Sequence, residues 1–188
     1  MKKINTLVFA GGAIHDWKGC SQEIVKSLSK TDDFEITLIE DDLDALVAPK
    51  LDPYDLIVFY YTVGEISDAQ KNGLLNHISS GKGYVGVHSA ADSFRGCPEY
   101  RAMVGGHFTT HPHYREYQVS IVDSEHPITE GLVEFSVTDE EKGKLFRASA
   151  FNLDKRFRLS VRPPSRGPSV YQRASSVRRS PRRLFNPA

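Results

Sequence analysis

With 188 residues the chain is long enough for one α/β domain and too short for two comfortable ones, so a single core is expected. The formal charge is zero, but that total hides an acidic body and a basic tail: residues 1–146 carry 13 Lys and Arg against 23 Asp and Glu, and residues 147–188 carry 11 against 1. Two cysteines, Cys20 and Cys97, exclude a disulfide framework and a C-x-x-C metal site, which fits a reducing, cytoplasmic setting.

The N-terminal Met1-Lys2-Lys3 and the apolar run behind it could pass for a secretion signal, but the run is short, contains Asn5 and leads straight into glycines. A first strand at 4–9 is therefore predicted. No segment approaches the roughly 20 apolar residues of a membrane span, so no membrane partner is expected. Apolar runs of strand length recur at 34–39, 56–61 and 84–87 with helical segments between them, the rhythm of βαβ units and a mainly parallel sheet. One helix is predicted at 21–30, where Ile24, Val25 and Leu28 share a face. A second is predicted at 67–79, opened by the capping box Ser67-Asp68-Ala69-Gln70, buried through Leu74, Leu75 and Ile78, and stopped by Gly81.

Beyond the fourth strand a helix over 90–103 is expected, interrupted near Gly96-Cys97-Pro98, with further strands at 117–122 and 133–138. From about residue 151 the pattern fails: nine Arg, six Ser and five Pro fill most of the last 38 positions. Such a segment cannot bury enough apolar surface to offset its ordering entropy, and it is expected to be disordered. The division is thus an α/β domain at 1–146 and a basic tail at 147–188. The arginines could hold nucleic acid by counterion release, but few aromatics interleave them, so nucleic acid is not the expected partner. A second copy of the chain stays open as one.

In open parallel sheets the binding crevice lies beyond the carboxyl ends of the strands. Strand one delivers Gly11-Gly12-Ala13-Ile14-His15-Asp16, strand two Glu40-Asp41-Asp42, strand three Tyr61-Thr62-Val63-Gly64-Glu65, and strand four His88-Ser89. The fourth turn reads Gly86-Val87-His88-Ser89-Ala90, a sharp strand-to-helix bend whose small residues permit tight packing and whose displayed group is imidazole. Imidazole transfers protons, binds metal or hydrogen-bonds a sugar near neutral pH, and lacks the thiolate or alkoxide of covalent acyl chemistry. Ser89 as nucleophile with His88 as base is disfavoured, because adjacent residues at such a bend point different ways.

A second cluster, Gly105-Gly106-His107-Phe108-Thr109-Thr110-His111-Pro112-His113, occupies a glycine-bracketed loop that could fold over the same rim. His15, His107 and His111 would suit a divalent metal such as zinc with an open position if they converged; solvent-facing histidines with local hydrogen bonds are the alternative. The first glycine loop lacks G-x-G-x-x-G spacing and a P-loop Lys, so it reads as a tight turn and not a phosphate cradle. Glu40-Asp41-Asp42 with Asp44 reads as a solvated acidic loop.

Together these motifs resemble the ThuA-like (trehalose-utilisation) family over about residues 4–146. The matching pieces are Gly11-Gly12 with His15-Asp16; Gly81-Lys82-Gly83 leading to the segment from Gly86 to Phe94; Val104-Gly105-Gly106-His107-Phe108 with His111-Pro112; His126-Pro127-Ile128 with Gly131-Leu132; and Phe135 with Thr138-Asp139-Glu140. The resemblance implies a three-layer, flavodoxin-like or class I glutamine amidotransferase-like fold, with histidine where true amidotransferases carry cysteine; Cys-dependent glutamine hydrolysis is therefore not expected. It also implies carbohydrate metabolism, with a disaccharide or an oxidised sugar derivative as the small-molecule partner and hydrolase, lyase or isomerase chemistry, or else non-catalytic sugar binding. On that footing His88 is the candidate general acid/base, His15 and His107 are polarising or metal-binding groups, and Asp16 and Glu140 are orienting carboxylates. Gly12, Tyr61, Thr62, Ser89, Asp92 and His111 are the candidate substrate contacts.

The resemblance breaks after Asp139-Glu140, where the chain offers Glu141-Lys142-Gly143-Lys144 and then the Arg/Ser/Pro tail instead of further sheet elements and a final helix. Out-of-frame reading of GC-rich DNA yields such a composition, so a frameshifted or truncated C-terminus is the expectation. Sequencing the gene past the codon for Phe146, with the mass of the protein, checks it.

Overall fold

The computed structural model describes residues 2–111 and 113–139 and the backbone of residues 159–162. The parallel sheet consists of β1 (Ile4–Gly12), β2 (Phe34–Glu40), β3 (Leu56–Thr62) and β4 (Gly83–Gly86), in the order β2-β1-β3-β4. Its register places Leu38, Val8, Val58 and Val85 in one row across all four strands. Side chains of a strand alternate between faces, so each central strand feeds two layers.

On one face Leu7, Phe9, Ile57, Phe59 and Tyr61 form the core with Leu74 and Ile78 of α3 (Asp68–Ser79) and Leu51 of α2 (Ala48–Leu51). Phe9 and Phe59 stack at 5.2 Å and 7°, and Phe94 and Tyr100 meet edge-on at 5.0 Å. Such aromatic pairs add roughly 0.5–1.5 kcal/mol to the area they bury. On the other face Val8, Ala10, Val58 and Tyr60 are buried, and α1 (Trp17–Leu28) packs against β1 and its neighbours. Helix, sheet and helix make the three layers expected from the sequence.

The predicted capping box at Ser67 is present in both halves: Ser67 Oγ accepts from the Gln70 N–H, and Gln70 Oε1 accepts from the Ser67 N–H at 2.9 Å. The helix expected over 90–103 is two pieces. A 3-10 turn, His88–Asp92, follows β4, and α4 (Pro98–Val104) starts afresh with proline at its first position and Cys97 as its cap. Two elements were not anticipated, a 3-10 turn at Leu43–Leu46 and the short α2, both seated under α3.

The remaining strands form a separate antiparallel sheet, β6-β5-β7, from β5 (Arg115–Ile121), β6 (Phe135–Asp139) and β7 (Leu159–Arg162). β7 lies within the tail expected to lack regular structure and pairs with β5 through Val119↔Val161 and its neighbours. The rest of the tail, the junction at 146/147 and Glu140 lie outside the described residues. No helix among the described residues is long and apolar enough to cross a membrane.

Candidate functional site

Each parallel strand gives way at its carboxyl end to a residue other than glycine in left-handed backbone: Ile14 (φ 79°) after β1, Asp41 (53°) after β2, Val63 (64°) after β3 and His88 (49°) after β4. The β-branched Ile14 and Val63 are genuine outliers, because their side chains crowd the backbone in that region. Strain of about 1–3 kcal/mol per residue persists only where the surroundings over-determine it, and it gathers at binding and catalytic sites. All four turns border one rim.

The fourth turn is anchored to β3 at several points. Val87 N–H donates to the Phe59 carbonyl at 2.9 Å, Ser93 Oγ donates to the Tyr61 carbonyl at 2.7 Å, and Thr62 Oγ1 donates to Ser89 Oγ at 2.6 Å in a buried contact. Tyr100 adds a hydroxyl bond of 2.8 Å to the Ala90 carbonyl. A Cβ on Gly86 would stand 3.2 Å from that of Ala90, which is why the strand end and the turn both need small residues. The framework leaves His88 exposed at the tip, as the sequence pattern predicts.

The loop after β1 brings the second histidine. Gly12 (φ 90°) sits against the backbone of Thr62, its N–H donates to Asp41 Oδ1 at 3.1 Å, and the Ala13 N–H donates to the Thr62 carbonyl at 3.1 Å. Held in this way, the His15 ring meets the His88 ring edge-on at 4.6 Å between centroids. His88 also stacks on Tyr60 at 5.8 Å and 10°. Asp16 caps α1 through the Gly19 N–H at 3.1 Å.

Tyr60 is the residue that sequence reasoning missed. Burial, with Cys20 and Asp16 close by, pushes its hydroxyl well above the usual tyrosine range. Tyr61, expected at the rim, is corrected: it lies in the core among Phe9, Phe59 and Phe94, and burial with Asp41 nearby raises its hydroxyl pKa. Strand β3 is buried on both faces, so its sequence shows no alternation from which to choose between the two tyrosines. Cys20, half-buried on α1, lies beside the Tyr60 hydroxyl.

The other expected contacts divide. Thr62 and Ser89 brace each other beneath the turn, and both are buried. Asp92 is buried and holds Arg95 through two bonds of 2.7 Å. His107 lies beside Arg101, whose Nη2 is 2.8 Å from the ring nitrogens, and His111 stands against Phe108 at 6.0 Å. The loop from Gly105 does fold onto the fourth turn, the Phe108 N–H donating to the Ala91 carbonyl at 2.9 Å. His15, His107 and His111 do not converge; among the described residues no group of three His, Cys, Asp or Glu side chains fits a metal ion. The acidic residues after β2 do local structural work: Asp41 ties the β1 loop, Asp42 caps the 3-10 turn, and Asp44 accepts from Gln70 at 2.9 Å.

A mainly parallel sheet between helical layers, with a histidine on a left-handed turn at the end of its fourth strand, defines an α/β architecture of the flavodoxin-like and glutamine amidotransferase-like kind. Residues 5–148 match the ThuA family model, described as trehalose utilisation, and the chain belongs to that family. Among solved structures the fold is similar to that of a protein described as ThuA-like from Parabacteroides merdae, at a TM-score of 0.64 and 21% identity over 74% of this chain and 62% of that one. It is also similar to one described in the same way from Bacteroides uniformis, at 0.59 and 21% over 72% of this chain and 58% of that one. The chain thus spans about three fifths of the length of these relatives. A comparison with curated protein sequences gives no match.

Proposed function

We propose that this chain is a carbohydrate-metabolism protein that takes a disaccharide or an oxidised sugar derivative at the His15–His88 rim and acts on it by proton transfer. The observation that carries the reading is the pair of imidazoles edge-on at 4.6 Å, one of them exposed on left-handed backbone and stacked on Tyr60. Trehalose utilisation, the description of the family, supplies the substrate class.

In this reading His88 is the general acid/base, because it reaches furthest into solvent and its ring plane is fixed by Tyr60. His15 lies close enough to act on the same ligand, so with a disaccharide one ring takes a proton from a water whose oxygen bonds to the anomeric carbon while the other gives a proton to the departing glycosidic oxygen. Asp16 orients the loop through its cap on α1. Thr62 and Ser89 hold the turn in place. The donor set among the described residues does not fit a metal, and no step is routed through one.

The test is direct. Trehalose, other disaccharides and keto-sugars are screened by thermal shift and calorimetry, followed by a turnover assay, for the wild type and His88→Ala. The reading expects saturable binding and product with the wild type, and loss of turnover by about 100-fold or more with His88→Ala, the scale of a general acid/base contribution. Unchanged turnover or binding in His88→Ala would show that the site is misassigned. Saturable binding without product makes the rim a sugar-binding module.

A further inference from the structure

Next to the rim lies a cavity of about 110 Å³ lined by Ala91, Asp92, Arg95, Arg101, His107 and Phe108, together with Ser93. Two guanidinium groups and an imidazole face one carboxylate there. The carboxylate of Asp92 engages Nε and Nη2 of Arg95, which fixes the guanidinium plane and leaves Nη1 outside the pair. Arg101 projects from the last turn of α4 onto His107, a neutral or cationic partner, so its charge is not cancelled by a carboxylate in the cavity lining. The lining therefore carries a net positive charge.

Charge narrows the occupant: two guanidinium groups against one carboxylate favour an oxyanion such as a carboxylate or phosphate group over a neutral sugar ring. Planar guanidinium forks suit these oxyanions, and the Phe108 N–H bond to the Ala91 carbonyl holds the loop at the edge of the cavity. The 3-10 turn His88–Asp92 rises about 2 Å per residue, which sets Asp92 about 8 Å from His88 along the turn.

We infer that this cavity is an oxyanion subsite, and that the ligand is a sugar bearing a carboxylate or phosphate whose ring lies at the histidine rim while its charged group sits between Arg95 and Arg101. The substrate class rests on the function proposed above; the subsite itself does not. Trehalose-like neutral sugars would occupy the rim alone.

Calorimetry with inorganic phosphate tests the subsite without any sugar, using the wild type, Arg101→Gln and Arg101→Lys, with circular dichroism and melting temperature as fold controls. Phosphate is expected to bind the wild type with an affinity that falls as salt rises. Arg101→Gln should weaken it about tenfold or more, and Arg101→Lys, which keeps the charge and loses the fork, should fall between. A second arm compares glucose with glucuronate and glucose 6-phosphate. The charged sugars should bind at least about tenfold more tightly than glucose, and Arg101→Gln should erase that difference; which of the two binds better separates carboxylate from phosphate as the natural group. Phosphate binding equal to a chloride control, or an Arg101→Gln variant that folds and binds as the wild type does, overturns the subsite. Phosphate bound at Arg101 with no sugar bound anywhere keeps the subsite and refutes the sugar reading.

Discussion

His77, on the buried face of α3, is 6% exposed, and its Nε2 has no hydrogen-bond partner. Burial, with the Lys82 ammonium adding to it, lowers its pKa to about 4, so the folded protein keeps the ring neutral where the unfolded chain would protonate it. The folded value lies below the unfolded value of about 6.5, so the stability this group preserves is present above pH 6.5 and is lost as pH falls toward 4. Between pH 7.5 and pH 5.0 the linkage amounts to about 2 kcal/mol, before other groups are counted. Replacing His77 by Phe keeps a planar ring and removes the titration. Urea unfolding of both proteins at several pH values, with m-values compared, measures the effect. The wild type should lose about 2 kcal/mol more than His77→Phe over that interval, whatever the absolute stability of the variant. Parallel pH dependences would refute the reasoning, because they would mean that His77 protonates equally in both states.

Three further outcomes follow from the rim and its supports. Gly12→Ala should cost about 2 kcal/mol or more, since the new Cβ meets the Thr62 backbone at a φ of 90°; a urea midpoint within error of the wild type would contradict the packing of that loop. Tyr60→Leu removes the ring under His88 and should lower ligand affinity about tenfold, while Tyr60→Phe keeps the stack and should hold it within about twofold; equal losses would point to the hydroxyl instead. Ser67→Ala removes one half of the capping box and should destabilise the fold by about 1 kcal/mol, read from thermal or urea melts; no change would mean that tertiary contacts alone hold the start of α3.

What could be read from the sequence followed from how local each signal was. The α3 cap and the small residues around His88 are short-range patterns, and the structure has both. The interruption expected near Gly96-Cys97-Pro98 is likewise local, because proline opens a new helix and cannot continue an old one; α4 starts at Pro98, and the piece before it is a 3-10 turn and not an α-helix. A strand buried on both sides carries no phase, and one residue of phase moves a side chain to the opposite face, so the sequence of β3 does not say which tyrosine lies under His88; the structure places Tyr60 there. The meeting of His15 with His88 and the closeness of Cys20 to Tyr60 depend on which strands are neighbours. With β3 lying between β1 and β4, three segments separated in sequence by tens of residues arrive at one place. The separation of His107 and His111 from His15 has the same origin, since their loop is committed to Ala91 and the end of the fourth turn.

Ile14 and Val63 set the rim's orientation against its backbone comfort. Glycine at either position would relax the backbone and favour the folded state locally, yet it would also untether the segment that aims His15 or seats the fourth turn. A glycine at either place would therefore exchange the aim of the rim for an easier backbone.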